Sequence, residues 1–241
     1  MVQEGSLART HGAAPGLPRG RSSLPQSAVR AAQRERLLAA AVAAVAEHGF
    51  HALTVAEIVR RAKVSRAAFY VHFSDKENCF LSATAHGGSL LFDAVLAATR
   101  ELPPGASPED QLRAGTRAFL GFLAGEPAFA RVFYVDMPAA GPHAVARMDV
   151  AQHRFAELNR AWHERALRWR PDWPDVPYDA YLGLSGATTE LVSVRVRHGK
   201  TAELPELEDT LVALHLAVLA GQVWPAEQVR RTVVDGAGGE P

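Results

Sequence analysis

Residues 65–76 place a Ser, an Arg, a Tyr, a His and a Lys at positions 65, 66, 70, 72 and 76, interleaved with Phe69 and Phe73. Hydroxyl, guanidinium, phenol, imidazole and ammonium groups can all donate hydrogen bonds. Donors grouped about a helix N-terminus suit phosphate, because the free N–H groups and the helix dipole already favour an anion there. On a helix starting after Ser65, Phe69 and Phe73 lie four apart and share a face. Ala62, Val64 and Ala68 can join them as an apolar underside. Tyr70 and His72 point elsewhere, Arg66 and Ala67 sit near the helix start, and Lys76 opens the next helix. An ordinary amphipathic helix with its polar groups in water is the competing reading. Donors bracketing a short second helix favour DNA.

Such a surface needs a scaffold. From Val29 the chain reads "VRAAQRERLLAAAVAAVAEHG", rich in strong helix formers. Leu38, Ala41, Val42 and Val45 fall on one face at helical spacing, and Gly49 ends the run. Thr54 with Glu57 three residues later is a capping box. The helix "VAEIVRRA" that follows buries Val55, Ile58, Val59 and Ala62. After a break at Lys63-Val64, Ser65 caps "RAAFYVHF", and Ser74 or Asp75 caps a third start. Neither short helix is stable alone in water. Together with the longer one before them they make a three-helix unit containing a helix-turn-helix.

The chain has 241 residues, 48% of them hydrophobic, and no net charge. Its charges are uneven: residues 1–76 hold 11 Lys/Arg against 5 Asp/Glu, and residues 77–241 hold 15 against 21. A basic end on a neutral protein is a pattern found in nucleic-acid binding. The one cysteine, Cys79, excludes an internal disulfide and fits a reducing compartment; its apolar setting predicts a buried structural thiol. The longest apolar runs, 37–46 and 211–221, fall short of the ~20 residues that cross a bilayer. No apolar signal-peptide block opens the chain. The expectation is a cytoplasmic protein with no membrane partner.

No segment alternates with period two, so the fold class is all-α. Residues 1–28, rich in Gly and Pro, are read as a disordered tail. Residues 29–76 form the helix-turn-helix domain, 77–224 a second helical domain, and 225–241 a C-terminal tail. Helices are expected near 75–99, 107–125, 127–136, 142–170, 178–199 and 205–221. Leu204, Leu207, Leu211, Leu214 and Val218 step by 3, 4, 3, 4, an a/d seam over about two heptads. Gly183, Gly186 and Ala187 on the preceding helix allow close approach. With Leu184 and Leu191, these leucines and Val218 are the candidate interface of a homodimer.

The stretch "TVAEIVRRAKVSRAAFYVHFSDKE" (54–77) resembles the N-terminal signature of the TetR/AcrR family of transcriptional regulators. Thr54, Ile58, Val64-Ser65, Phe69-Tyr70, His72-Phe73 and Lys76-Glu77 stand at the family's spacing, and the likeness covers residues 30–80. Two departures are Lys63, where the family usually has Gly in the turn, and Val59 in place of a commoner Ala. Lys63 matters because a left-handed turn residue costs a side-chain-bearing amino acid.

The resemblance implies a dimer whose two reading helices enter successive major grooves of a palindromic operator. It places Arg66 and Ala67 at base edges and Thr54, Ser65, Tyr70, His72 and Lys76 at phosphates, with Lys63 adding a charge near the backbone. Arg19 and Arg21 are read as part of a passive tail, with an arm entering the minor groove as the lesser alternative. It also implies an apolar or aromatic small-molecule effector among the middle helices. The candidate lining is Phe92, Phe119, Phe122, Phe133, Met137, Phe155 and Trp162, and no cofactor is expected. The helix at 75–99 would link that pocket to the reading head, with Gly87-Gly88 allowing it to bend.

An enzyme is the contrasting class. "GLSGA" (183–187) approximates a nucleophile elbow, but Ala187 replaces the second Gly and no strand precedes it. His143, His153 and His163 step by ten, which spreads them around a helix instead of gathering them for a metal. A ligandless DNA-binding protein and an activator are further alternatives.

Overall fold

The computed structural model describes residues 5–9 and 25–222. Among these residues there are nine α-helices and no strand. α1 (Gln26–His48) carries the alanine-rich stripe, with Leu37, Leu38, Ala41, Val42 and Val45 buried. α2 (Val55–Ala62) and α3 (Arg66–His72) pack on it, and α4 (Lys76–Arg100) leads away from them. α5 (Pro108–Gly125) lies along α4, and α6 (Pro127–Arg131) continues as a π-helical turn over Val132–Asp136 and a 3-10 turn over Met137–Ala140. α7 (Pro142–Ala166) pairs with α8 (Tyr178–Arg197), and α9 (Glu208–Leu219) follows a 3-10 segment, Thr201–Leu207.

Each start in the head has its cap. Thr54 Oγ1 accepts from Glu57 N at 3.1 Å, Ser65 Oγ from Ala68 N at 3.1 Å, and Asp75 Oδ1 from Asn78 N at 2.8 Å. These three bonds satisfy donors that a helix start leaves free. Lys63 closes α2 in the left-handed region, at φ 53° and ψ 41°, and is the non-glycine with positive φ among the described residues. The turn keeps the geometry a glycine would give it, with Lys carrying the strain.

Several expectations change. Residues 6–8 are not tail: they form a 3-10 turn against α1 and α6, with Ala8 buried. The Glu126 carboxylate receives Ser6 N at 2.7 Å and Leu7 N at 2.9 Å. α1 begins at Gln26, three residues before Val29. Arg19, Arg21 and the tail 225–241 lie outside the described residues. α4 runs unbroken through Gly87-Gly88. Gly87 lies under the Phe129 ring, where its missing side chain allows close approach, so its role is packing and not a bend.

One apolar cluster includes Phe69 and Phe73 of the head, Cys79, Phe80 and Leu91 of α4, and Phe129, Val192 and Leu211 further on. Head and body therefore share a core. A second cluster around Trp162, Trp173 and Tyr181 closes the far end. By length and composition α4 is apolar enough to cross a bilayer. Its buried residues are instead covered by α1 and α5, the role of a core helix.

Candidate nucleic-acid interface and cavity

The face of α3 that turns from the core presents Arg66, Ala67, Tyr70 and Val71, all exposed. Tyr70 is 50% and Val71 64% exposed, high for large side chains in a helix this well anchored. Arg66 lies over the Tyr70 ring, 5.8 Å from its centroid, with Nη2 3.4 Å from the hydroxyl. The two are one turn apart, so the ring steadies the guanidinium while leaving most of its donors outward. Beneath, Phe69 and Phe73 are buried with Ile58 and Ala62, as the spacing predicts.

The other predicted contacts differ in freedom. Thr54 and Ser65 are exposed, but their hydroxyl oxygens accept the cap bonds. His72 is half-buried, with Nε2 3.4 Å from Gln33 Oε1. Burial, with Arg34 and Arg30 nearby, lowers its pKa. Lys76 donates to Leu53 O at 2.8 Å and its ammonium lies 5.0 Å from the Phe50 ring centroid. One of its three donors is thus committed to the corner after α1. Behind this face, Arg60 and Arg61 both bind the Glu57 carboxylate, and Arg61 also reaches Glu47 at 2.6 Å. The two guanidinium groups hold the Glu57 carboxyl at about 2.

The second feature is a cavity of about 150 Å³ bounded by α4, α5, the π-helical turn, α7, α8 and α9. Phe119, Phe133, Phe155 and Trp162 line it, as expected for four of the seven candidates. Phe92, Phe122 and Met137 do not. Phe92 stands behind Phe155, ring centroids 5.7 Å apart, with Arg154 over its other side at 3.9 Å. Phe122 packs edge-on against Phe129, and Met137 is buried in the core.

Sequence reading missed the cavity's polar wall: Gln152 and Asn159 of α7, Ser185 and Thr188 of α8, and His215 of α9. His215 Nδ1 is 2.7 Å from Leu211 O, and Asn159 Nδ2 lies 3.4 Å from Nε2. Burial lowers its pKa, which keeps the ring neutral. Nδ1–H donates to the carbonyl, so Nε2 is left as an acceptor. Scattered single polar residues on three helices leave no motif to find.

Ser185 stands in mid-helix, so "GLSGA" is no elbow. His143, His153 and His163 bind Glu77, Asp149 O and Tyr181 respectively, three separate neighbourhoods. No group of three or more metal-ligating side chains is assembled among the described residues.

The predicted dimer leucines also divide. Leu184, Leu204, Leu207 and Leu211 are buried inside their own chain, and Leu211 lines the cavity. The regular seam is broken because Thr201–Leu207 is a 3-10 segment containing Pro205. Leu191 and Leu214 are half-buried, and Val218 is 37% exposed, matching Val194 on α8.

A capped helix, a left-handed turn and a short second helix with an exposed polar face define a helix-turn-helix, a unit that places its second helix in the major groove of DNA in the proteins that use it to bind there. Residues 37–83 match the family model of bacterial regulatory proteins of the tetR family. The match runs from the middle of α1 through α2 and α3 into α4. The HTH-type transcriptional regulator BetI of Escherichia coli is 39% identical over 92 residues, 38% of this chain and 46% of that protein. The HTH-type transcriptional activator FasR of Mycolicibacterium smegmatis is 29% identical over 119 residues, 49% of this chain and 53% of that one. The matched region spans about half the length of these relatives. Beyond it, a TetR-like transcriptional regulator from Rhodococcus sp. RHA1 is similar over 83% of this chain and 100% of its own, at 28% identity and a TM-score of 0.61.

Proposed function

We propose that the chain is a dimeric, cytoplasmic, sequence-specific DNA-binding regulator of transcription. It acts as a repressor that leaves a palindromic operator when a small ligand fills the cavity. The observation that carries the reading is the exposed Arg66-Ala67-Tyr70 face, set on two capped helices with the turn geometry of a helix-turn-helix. Arg66 is the base reader, in the bidentate geometry that guanine O6 and N7 accept. Thr54, Ser65, Tyr70, His72, Lys76 and the turn residue Lys63 lie against phosphates. Nothing in this cycle needs a catalytic step or a cofactor. Two subunits meet through the outer face of α8 and α9, using the exposed Val194 and Val218 and the half-buried Leu191 and Leu214.

The activator reading is supported by one relative's name and keeps the same DNA contacts, changing the operator's position relative to the promoter. The test is fluorescence-polarisation binding to DNA upstream of the coding region, across a salt series with random-sequence competitor. Six to ten phosphate contacts lower affinity by about 10³–10⁵ between roughly 50 and 200 mM salt. Arg66→Ala should cost about 1–3 kcal/mol on the preferred site and little on random DNA. Equal losses on both would remove Arg66 as a base reader, and binding no tighter than to competitor would remove the operator.

A further inference from the structure

The polar wall of the cavity narrows what its ligand can be, on the reading above that the cavity is an effector site. Ser185 and Thr188 sit one turn apart on the face of α8 that borders the cavity. Neither hydroxyl finds a partner among the described residues, and Ser185 is 5% exposed. A buried hydroxyl without a partner destabilises the fold that holds it. Here two line one cavity together with His215, Asn159, Gln152 and Gln111, and with the aromatic Phe119, Phe133, Phe155 and Trp162.

The charges are as telling. Among the described residues the charged side chain lining the cavity is Arg165, which is exposed, and no carboxylate lines it. His215 offers only its Nε2 lone pair, because Nδ1–H is held by Leu211 O, and that lone pair takes one long bond, 3.4 Å, from Asn159 Nδ2. A carboxylate placed against His215 would face a lone pair, a costly burial, and the cation on the lining, Arg165, is exposed to water. A bare hydrocarbon would leave the hydroxyls unpaired. A ketone could accept from Ser185 and Thr188 but would give His215 nothing. A group that both donates and accepts satisfies all three. The size is set as well: about 150 Å³ is the scale of a cavity that takes one benzene ring.

We propose that the cavity binds a small, uncharged ligand with one ring-sized apolar body and one hydroxyl or carboxamide group, and that this group docks on Ser185, Thr188 and His215. The ligand's O–H or N–H displaces the long Asn159 bond and donates to His215 Nε2, its oxygen accepts from the α8 hydroxyls, and its ring lies among Phe119, Phe155 and Trp162.

Benzyl alcohol, toluene and benzoate are three probes of one size that differ in this group. Each is titrated against the full chain by thermal shift and calorimetry, in wild type, Ser185→Ala/Thr188→Val and Arg165→Ala. Benzyl alcohol should bind at least tenfold more tightly than benzoate, and its preference over toluene should fall roughly tenfold in the α8 double variant. That variant removes two unpaired hydroxyls without changing volume much, so without ligand it should melt no lower than wild type. An alcohol-to-toluene ratio that the double variant leaves unchanged would overturn the docking group while leaving an apolar effector site in place. Benzoate binding tightest, and losing its affinity in Arg165→Ala, would replace the neutral ligand by an anion. If none of the probes binds, the effector reading of the cavity fails along with the inference, and the DNA-binding reading is untouched.

Discussion

Gly87 and Gly88 are neighbours in the middle of α4, and replacing each by Ala should change stability in opposite directions. Both would gain the backbone preference that Ala has over Gly in a helix interior, about 0.5–1 kcal/mol. At Gly88 nothing lies within 4 Å of an added Cβ, so that gain stands alone. At Gly87 the Cβ would come within 2.6 Å of Phe129 Cδ2. The ring has nowhere to go: Phe129 is 1% exposed and wedged between Phe122 and Phe133, at 6.2 and 5.7 Å. Overpacking of this kind costs about 1–3 kcal/mol, which exceeds the gain. In a chain of this size about 1 kcal/mol moves the melting temperature by roughly 2–4 °C. Gly88→Ala should therefore raise it by a few degrees and Gly87→Ala lower it, read by calorimetry and checked by urea unfolding. Equal stability of Gly87→Ala and wild type would refute the packing argument. A loss in Gly88→Ala would show that α4 does bend at the pair.

Other substitutions test the head. Lys63→Gly removes left-handed strain worth about 1–2 kcal/mol, partly offset by the glycine's own entropy, and should stabilise the protein by roughly 0.5–1 kcal/mol; a loss would show that the Lys63 side chain does more than tolerate the turn. Glu57, held at about 2 against an ordinary 4.5, contributes stability that is full above pH 4.5 and disappears as pH falls towards 2. Glu57→Gln should flatten the stability profile in that window, and a profile unchanged from wild type would discount the Arg60 and Arg61 bonds. Burial pushes the Cys79 thiol up to about 12, so it should react with a disulfide reagent only when the chain unfolds. Rapid labelling of the native protein would contradict its place against Leu37 O.

The head was legible because its signals are local. Caps lie within three residues of the donors they satisfy, and Phe69 and Phe73 share a face by spacing alone. What escaped depends on distant partners. Leu204, Leu207 and Leu211 have the spacing of a dimer seam, but Pro205 tightens the backbone there and α5 and α8 cover those side chains. Gly87 looks like a hinge until Phe129, more than forty residues on, is placed over it. Ser6 looks like tail until Glu126 captures it. Ser185, Thr188, Asn159 and His215 meet only because three helices cross, and no sequence window contains them all.

The proposed switch also has a physical route to consider. Phe133 lines the cavity and packs on Phe129, Phe129 rests on Gly87, and α4 carries Cys79 and Phe80 into the head core against Leu37 and Phe50. Contiguity of this kind is not coupling; coupling is a free energy, and it must be reciprocal. If a ligand weakens operator affinity by some factor, the operator must weaken ligand affinity by the same factor. Phe133→Leu keeps a wall on the cavity but loosens the ring contact to Phe129. If the route carries the switch, this variant retains ligand and DNA binding measured separately, and both cross-effects shrink together. If instead either affinity measured alone changes while the shared coupling factor holds, the variant acts on binding at that site and the route through Phe129 is not the link. If neither shrinks, the coupling runs through the α4–α5 packing directly, where Val95 and Phe119 border the same cavity.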